Sequence, residues 1–457
     1  MASSVAQTIT DRYFSRTKLS RENDARAKKS LPGGDTRTST YFGPYPTYME
    51  RGEGCYLYDC DGNHYIDFLN NYTSLIHGHA FPPIVEAAGA QLKKGTVFGS
   101  PGVVQAELAE IICDRLPSVD LVRFANSGTE ATLMAMRAAR AFTGKDLIVK
   151  MDGGYHGEHD FVAVNFIPDF EAQDLPSVKI SWPGVPACVR DGMLVTRFND
   201  LDATERILKG HQGQIAAIIM EPMLGAGGAI APKPGYLKGM RKLADEYGVL
   251  LIFDEIITFR LSLGGVQRVE GIEPDLTALG KIIGGGFAIG AFGGKREIME
   301  HFNPAHPQNI YHAGTFNGLN ITMAAGVAAM RHYGQAEIDR INGLGERLAA
   351  GFNRAFLSAG IRGQASGLGS ALQIRWTDQE VTTPKQSIMS GVMAGKVPSL
   401  LHLELMNRGV FAAARGLFCI STPMTEVEID RACEALEGAL VALKPLAAEE
   451  APHLIAS

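Results

Sequence analysis

The chain has 457 residues, of which 46% are hydrophobic and 20% charged, with a formal net charge of -6. That length calls for two or three packed units rather than one small core. The mildly acidic balance offers no basic surface for nucleic acid, and no apolar run approaches the ~18 residues of a membrane span.

The N-terminal stretch "MASSVAQTITDRYFSRTKLSRENDARAKKS" is polar with weak helical character. It carries charges throughout and lacks the apolar core of a secretory signal, so a cytoplasmic location is expected. "LPGGDTRTS" then breaks it with proline and glycine. "GCYLYDCDGNHYIDF" has strand-like segments on either side of Asp61-Gly62, which predicts a hairpin. "PPIVEAAGAQLKKG" has helical spacing and a glycine stop.

The middle of the chain alternates short apolar runs with helical stretches. "LVRFA" (121–125) precedes a helix over 129–142, and "LIVKM" (147–151) precedes the glycine-rich "DGGYHG". "IAAIIM" (215–220) ends in Glu221-Pro222. "GYLKGMRKLADEYG" reads as an amphipathic helix, and "VLLIFDEII" (249–257) as a continuous apolar strand. Strands this apolar belong in a sheet covered on both faces, and their alternation with helices argues for a mainly parallel α/β core. From about 330 onward come a long helical stretch, short strands such as "ALQIRW", and a terminal amphipathic helix from about 425. The expected organisation is an N-terminal segment (1–70) packing with the small domain, a large α/β domain (71–328), and a small α+β domain (329–457).

The six cysteines, Cys55, Cys60, Cys113, Cys188, Cys419 and Cys433, form no CxxC pair. They read as reduced thiols rather than a disulfide frame or a zinc site.

Lys281 stands in a long apolar run that leads directly into Gly284, Gly285 and Gly286. Three readings compete: a phosphate lysine, a solvated lysine at a strand end, or an amine nucleophile. A phosphate loop of the GxxxxGK[ST] type needs its glycines before the lysine, and here they follow it. Desolvation would lower the amine's pKa and suit it to Schiff-base chemistry. Asp254 lies late in an apolar strand, where an acid is costly without a positive partner. Glu255 points to the opposite face, so one of the two acids should face a site beyond the strand ends. A cofactor's protonated ring nitrogen would be a fitting partner for Asp254.

"NSGTEA" (126–131) follows a strand and opens a helix, so its free N–H groups can receive an anion. Ser127 and Thr129 add hydroxyls, Gly128 permits close approach, and Ser127-x-x-Glu130 is also a capping box. In "GGYHG" (153–157), Tyr155 could stack on a flat ring and His156 could orient a neighbour; packing is the plainer role for each. A phosphate, a ring with a protonated nitrogen and an aldehyde for a lysine together describe pyridoxal 5'-phosphate (PLP).

With "NSGTEA", "GGYHG", "EPM", "FDEI", "LGKIIGGG" and "HAGTF" in this order, the chain resembles the class III aminotransferases over nearly its whole length. The resemblance implies the PLP-dependent transferase fold of aspartate aminotransferase, an α/β large domain with a mainly parallel sheet and a smaller α+β domain. It implies that Lys281 forms the Schiff base with PLP and moves the substrate proton, and that Asp254 holds the pyridine nitrogen. Ser127, Gly128 and Thr129 match the phosphate cup, and Tyr155 and Ile256 match the residues on the two ring faces. Thr315 matches the threonine that reaches the neighbouring subunit's phosphate in a homodimer. Glu221 and His156 match polar residues near the ring.

Within the family, "LPGG", "RGEGCYLYDCDGN" and "PDLTALGKIIGGG" are similar to glutamate-1-semialdehyde aminomutases and to β-amino-acid (β-phenylalanine) aminotransferases. "GGDTR", "TFRL" and "FNGLN" depart from the aminomutase pattern. They lead to the expectation of a β-amino donor, with a 2-oxo acid acceptor and ping-pong half-reactions through pyridoxamine phosphate. An aminomutase and an amine transaminase are the alternatives. The resemblance places Arg37 at the donor carboxylate, Arg415 at a second pocket, and Tyr72 at the same mouth.

Overall fold

The computed structural model describes residues 2–456. In chain order its strands are β1 (Met49–Glu53), β2 (Tyr56–Asp59), β3 (His64–Asp67), β4 (Leu121–Ala125), β5 (Leu147–Met151), β6 (Met193–Thr196), β7 (Ile215–Met220), β8 (Leu250–Asp254), β9 (Leu276–Gly280), β10 (Gly290–Gly294), β11 (Gln364–Leu368), β12 (Ala371–Arg375), β13 (Val410–Phe411) and β14 (Leu417–Cys419). The chain divides into two compact units. The larger comprises Pro82–Asp339 with Val381–Ile388. The smaller comprises the chain up to Phe81, Arg340–Glu380, and the chain from Met389 onward.

In the larger unit a seven-stranded sheet has the order β4-β10-β9-β8-β7-β5-β6. Strands β6, β5, β7, β8 and β9 pair in parallel. Every residue of β7 and β9 is buried, as expected of strands with both faces covered. β10 runs antiparallel to both β9 and β4, so β4 points the same way as the parallel set. The reversal follows from chain length: Lys281 to Ile289 is shorter than the dozen or so residues that a parallel crossover requires.

Helix Gly128–Thr143 lies against this sheet through Ala131, Ala135, Ala138 and Met134, which share a buried core with Ile219, Ile252, Ala278 and Phe292. Its alanines sit three and four residues apart on one face, so the helix axis can approach the sheet closely. Enlarging Ala138, which is fully buried, would overpack this contact at a cost of about 1–3 kcal/mol.

The smaller unit holds two sheets. In the order β1-β2-β3-β13, the first three strands are antiparallel and β13 joins β3 in parallel. The β2–β3 hairpin turns at Asp61-Gly62, with Gly62 at φ 85°, and Asp59 Oδ1 accepts from the N–H groups of Asp61 and Asn63. A second, antiparallel sheet has the order β11-β12-β14. The terminal helix Glu426–Glu450 starts at a capping box formed by Thr425 and Glu428. Among the described residues, no helix is long and apolar enough to cross a membrane, and no disulfide joins the cysteines.

Candidate active site

The C-terminal ends of β4, β5, β7, β8 and β9 carry Ser127, the Tyr155–His156 loop, Glu221, Asp254 and Lys281 respectively. Ligands of open parallel sheets gather beyond these strand ends.

Asp254 closes β8 and is 3% exposed. His156 Nδ1 lies 2.8 Å from its Oδ2, and the backbone N–H of Ile256 donates to Oδ1 at 3.1 Å. Glu255 faces away, as strand alternation requires. It is fully buried and accepts from the N–H groups of Val266 (3.1 Å) and Gln267 (2.9 Å), so it caps the helix Gly265–Glu270. Of the two neighbouring acids, Asp254 faces His156 at the strand ends and Glu255 faces the scaffold.

Glu221, also buried, accepts from the N–H groups of Tyr155 and Gly225, both at 3.0 Å. Burial pushes its carboxyl above the usual range, with the charge of Asp254 adding to the rise. The Tyr155–His156 loop is held from below by Lys150 in β5, a residue the sequence analysis passed over inside its apolar run. Its Nζ donates to the carbonyls of Gly154 (3.0 Å), Val164 (2.6 Å) and Asn165 (3.3 Å). Burial lowers this amine to about 7, against the pull of Asp152 and Glu221. Alternation of burial could not reveal it, because β5 is covered on both faces.

Ser127 caps helix Gly128–Thr143 by accepting from Glu130 N–H at 3.1 Å. Glu130 returns to the N–H of Asn126 (2.6 Å) rather than to that of Ser127, which shifts the reciprocal half of the expected box by one residue. A Cβ on Gly128 would stand 2.7 Å from Ile256 Cδ1, and one on Gly290 would stand 1.9 Å from Ser127 O, so both glycines are required by close approach. Thr129 Oγ1 accepts from Glu158 N–H at 3.1 Å, joining the helix start to the Tyr155 loop. Lys281 follows Gly280, whose added Cβ would lie 3.6 Å from Ile256 Cγ1. Lys281 itself has φ 51°, a left-handed backbone that costs a residue with a Cβ about 1–2 kcal/mol. Outliers of this kind collect at functional sites. The structure thus brings together Ser127, Gly128, Thr129, Tyr155, His156, Glu221, Asp254, Ile256 and Lys281 around one set of strand ends.

Thr315 is not tied to that set: it lies on an exposed stretch with Tyr311 and Phe316, and no hydrogen bond joins it to these residues. The other three residues lie together in the smaller unit. Arg37 Nη1 donates to Asn71 Oδ1 at 2.7 Å, Tyr72 donates its hydroxyl to Ser39 O, and the Arg415 guanidinium stands 5.9 Å from the Tyr72 ring centroid. Asn71, which connects the first two, escaped the sequence analysis; its only local signal was the pair Asn70-Asn71, the residue type that best tolerates left-handed backbone.

The class-III aminotransferase family model matches residues 40–420. Curated relatives include glutamate-1-semialdehyde 2,1-aminomutases from Methanothermobacter thermautotrophicus (40% identical, 92% of this chain and 98% of the relative) and Ignicoccus hospitalis (42%, 91% and 97%). Among solved structures, an ω-transaminase from Sphaerobacter thermophilus superimposes with a TM-score of 0.89 (41% identical, 93% of this chain and 98% of the other). A β-phenylalanine aminotransferase from Variovorax paradoxus gives 0.88 (32%, 98% and 99%). A transaminase with PLP bound gives 0.86 (35%, 95% and 99%).

These relatives correct the expected substrate. The β-amino donor rested on three short departures, "GGDTR", "TFRL" and "FNGLN", whereas the likeness to an aminomutase runs through 426 aligned residues. Further relatives at about 40% identity over most of the chain bear the same aminomutase name, so transamination of a β-amino acid is set aside. The fold is that of the PLP-dependent transferases and PLP is the cofactor. The chain belongs to the class-III aminotransferases and is a PLP-dependent enzyme.

Proposed function

We propose that this enzyme moves an amino group within one amino-aldehyde acid, as an aminomutase of the glutamate-1-semialdehyde type. The observation that carries the reading is the 40% identity over 92% of the chain to a glutamate-1-semialdehyde 2,1-aminomutase. Nitrogen leaves carbon 2 and appears on carbon 1, giving 5-amino-4-oxopentanoate; substrate and product are isomers, so no acceptor is consumed.

The residues present fit PLP. The Ser127-capped helix start offers N–H groups for a phosphate, and the buried Asp254 carboxylate offers a partner for a ring N–H. His156 Nε2 is buried with no hydrogen-bond partner, which marks polar capacity beside Asp254 not used within the chain. We assign Ser127, Gly128 and Thr129 to the phosphate, Asp254 to the ring nitrogen, and Tyr155 and Ile256 to the ring faces. Lys281 is assigned to the aldehyde carbon. PLP supplies an electron sink that makes the hydrogen on a nitrogen-bearing carbon acidic.

The chain's own groups do the rest. Lys281 Nζ removes that proton and returns it to the neighbouring position. His156 fixes the Asp254 carboxylate, and Glu221 fixes the Tyr155 loop through its backbone N–H. Arg37 receives the substrate carboxylate, Arg415 serves a second pocket, and Tyr72 lines the same mouth. We read the working form as a cytoplasmic homodimer in which Thr315 serves the neighbouring subunit. Tyr311 and Phe316, 81% and 54% exposed on either side of Thr315, are suited to be covered by a second copy. Light scattering of the holoprotein checks the dimer.

The test of function is incubation of the holoenzyme with glutamate 1-semialdehyde and no 2-oxo acid. Multiple turnovers to 5-amino-4-oxopentanoate are expected. Turnover that appears only when a 2-oxo acid is added would overturn the reading. It would favour the second one, amine transamination, which draws support from the 41%-identical ω-transaminase structure and makes Arg37 dispensable.

A further inference from the structure

Four consecutive residues, Asn70, Asn71, Tyr72 and Thr73, have φ of 50°, 47°, 54° and 74°. None is glycine, and left-handed residues normally occur singly. A turn of this kind persists only where its surroundings over-determine it. Here Asp67 Oδ1 accepts from the N–H groups of Leu69 and Asn70, both at 2.9 Å, while Asp67 Oδ2 is held by His79 Nε2 at 2.7 Å. Asn70 Nδ2 donates to Cys419 O at 2.8 Å, and Asn70 is fully buried. The anchoring falls on Asn70 and leaves Asn71 exposed at the surface.

The Asn71 amide has one orientation fixed by its neighbours. Ser74 Oγ donates to Asn71 O at 3.0 Å and so must accept from Asn71 Nδ2, at 3.1 Å. That leaves Asn71 Oδ1 facing outward, where Arg37 Nη1 donates to it at 2.7 Å. Among the described residues no carboxylate lies within ion-pair distance of Arg37. The charge of Asp35 acts on it from beyond that distance, and the Asp35 carboxylate is engaged by the N–H groups of Thr36 and Arg37 and by Thr40 Oγ1. The guanidinium is therefore aimed by a neutral acceptor. It keeps four of its five N–H donors, and a carboxylate can take two of them in a bidentate pair.

We propose that the left-handed turn Asn70–Thr73 is a specificity device, in which Asn71 acts as a positioning residue that aims Arg37 at the substrate carboxylate without neutralising it. This rests on the assignment of Arg37 to that carboxylate. This backbone buries Asn70 and presents the next side chain to Arg37. Tyr72, bonded to Ser39 O, closes the other side of the same loop.

The experiment measures binding of 4-oxopentanoate, which has the carboxylate but no amine, to the holoenzyme by calorimetry, together with KM and kcat for glutamate 1-semialdehyde. Asn71→Gly keeps the left-handed backbone available and removes the acceptor, together with the exposed Nδ2 bond to Ser74. It should weaken 4-oxopentanoate and raise KM about 10-fold, with kcat and Tm near those of the unchanged protein. Asn71→Asp keeps an acceptor oxygen and a residue that tolerates the turn, yet adds a charge that pairs with Arg37. It should weaken binding further, whereas a merely structural Asn71 would tolerate the change. In an Arg37→Ala background, Asn71→Gly should have no additional effect. If Arg37→Ala weakens 4-oxopentanoate but Asn71→Gly and Asn71→Asp do not, the positioning role is wrong and the Arg37 assignment stands. If Arg37→Ala itself leaves binding unchanged, both fall.

Discussion

His156 Nδ1 stands 2.8 Å from Asp254 Oδ2, with both side chains buried, so one imidazole holds the only site-facing acid of the Asp254-Glu255 pair. A buried carboxylate needs its lone pairs met, and the remaining oxygen is met by Ile256 N–H.

Asp254→Asn keeps the shape and removes the charge assigned to a ring N–H. Turnover should fall about 10²–10³-fold while PLP is still bound, as for loss of one aimed electrostatic partner. His156→Ala should cost less turnover but should destabilise the fold by about 1–3 kcal/mol, because Asp254 is left short of a donor. An Asp254→Asn enzyme with wild-type kcat would remove Asp254 from the site.

Lys281 carries both the role assigned to it and a backbone cost. Lys281→Ala and Lys281→Arg should be inactive and should lack the yellow colour of the loaded enzyme, since neither offers a deprotonatable amine. With φ at 51°, Lys281→Gly should be about 1 kcal/mol more stable than Lys281→Ala, read as a difference in denaturant midpoint. Equal midpoints would mean that the backbone at this position relaxes at no cost.

Lys150 joins three carbonyls beneath the Tyr155–His156 loop. Lys150→Met fills the space but leaves the Gly154 and Val164 carbonyls without that donor, at about 1–3 kcal/mol each where they stay buried, whereas Asn165 O keeps the N–H of Gly153. The expected result is a lower Tm and weaker PLP binding together. Weaker PLP binding with an unchanged Tm would give Lys150 a direct part in the site instead.

Acid should weaken the protein before its carboxylates titrate. Burial pushes His159 down to about 3, with His156, Arg140 and Arg137 lowering it further, and burial alone pushes His402 to about 4. Both lie below the ordinary value of 6.5, so the unfolded chain binds protons that the folded one refuses. Their contribution is fully present above about pH 6.5 and is lost as pH falls toward 4, at roughly 1.4 kcal/mol per pH unit for each histidine. Denaturation at pH 7, 6 and 5 should show this slope, and His159→Gln should flatten it. A constant stability across that range would mean that the two rings are already protonated or reach water when folded.

Much of the site was legible because its pieces are local. A capping serine before a helix, a glycine that must pass close to a neighbour, and an acid in an apolar strand leave their marks within five or six residues. Even here Glu130 bonds Asn126 rather than Ser127, because the end of a helix adjusts to the strand that feeds it. The substrate was less legible: three short departures suggested a β-amino donor, while identity along the whole chain favours an aminomutase. Specificity is a small difference of affinities spread over many contacts, and a few local letters sample it poorly.

The sequence by itself determined the order of the motifs, the alternation of strand and helix, and the residue types able to hold PLP, since these follow from periodicity and short-range chemistry. Only the tertiary structure decided that Glu255 turns to the scaffold and that Lys150 staples the loop carrying His156. It alone joined Arg37 to Asn71 across 34 positions. Such contacts depend on where the chain folds back: burial makes Glu255 and Lys150 find partners however distant in sequence, while Arg37 and Asn71 meet at the surface.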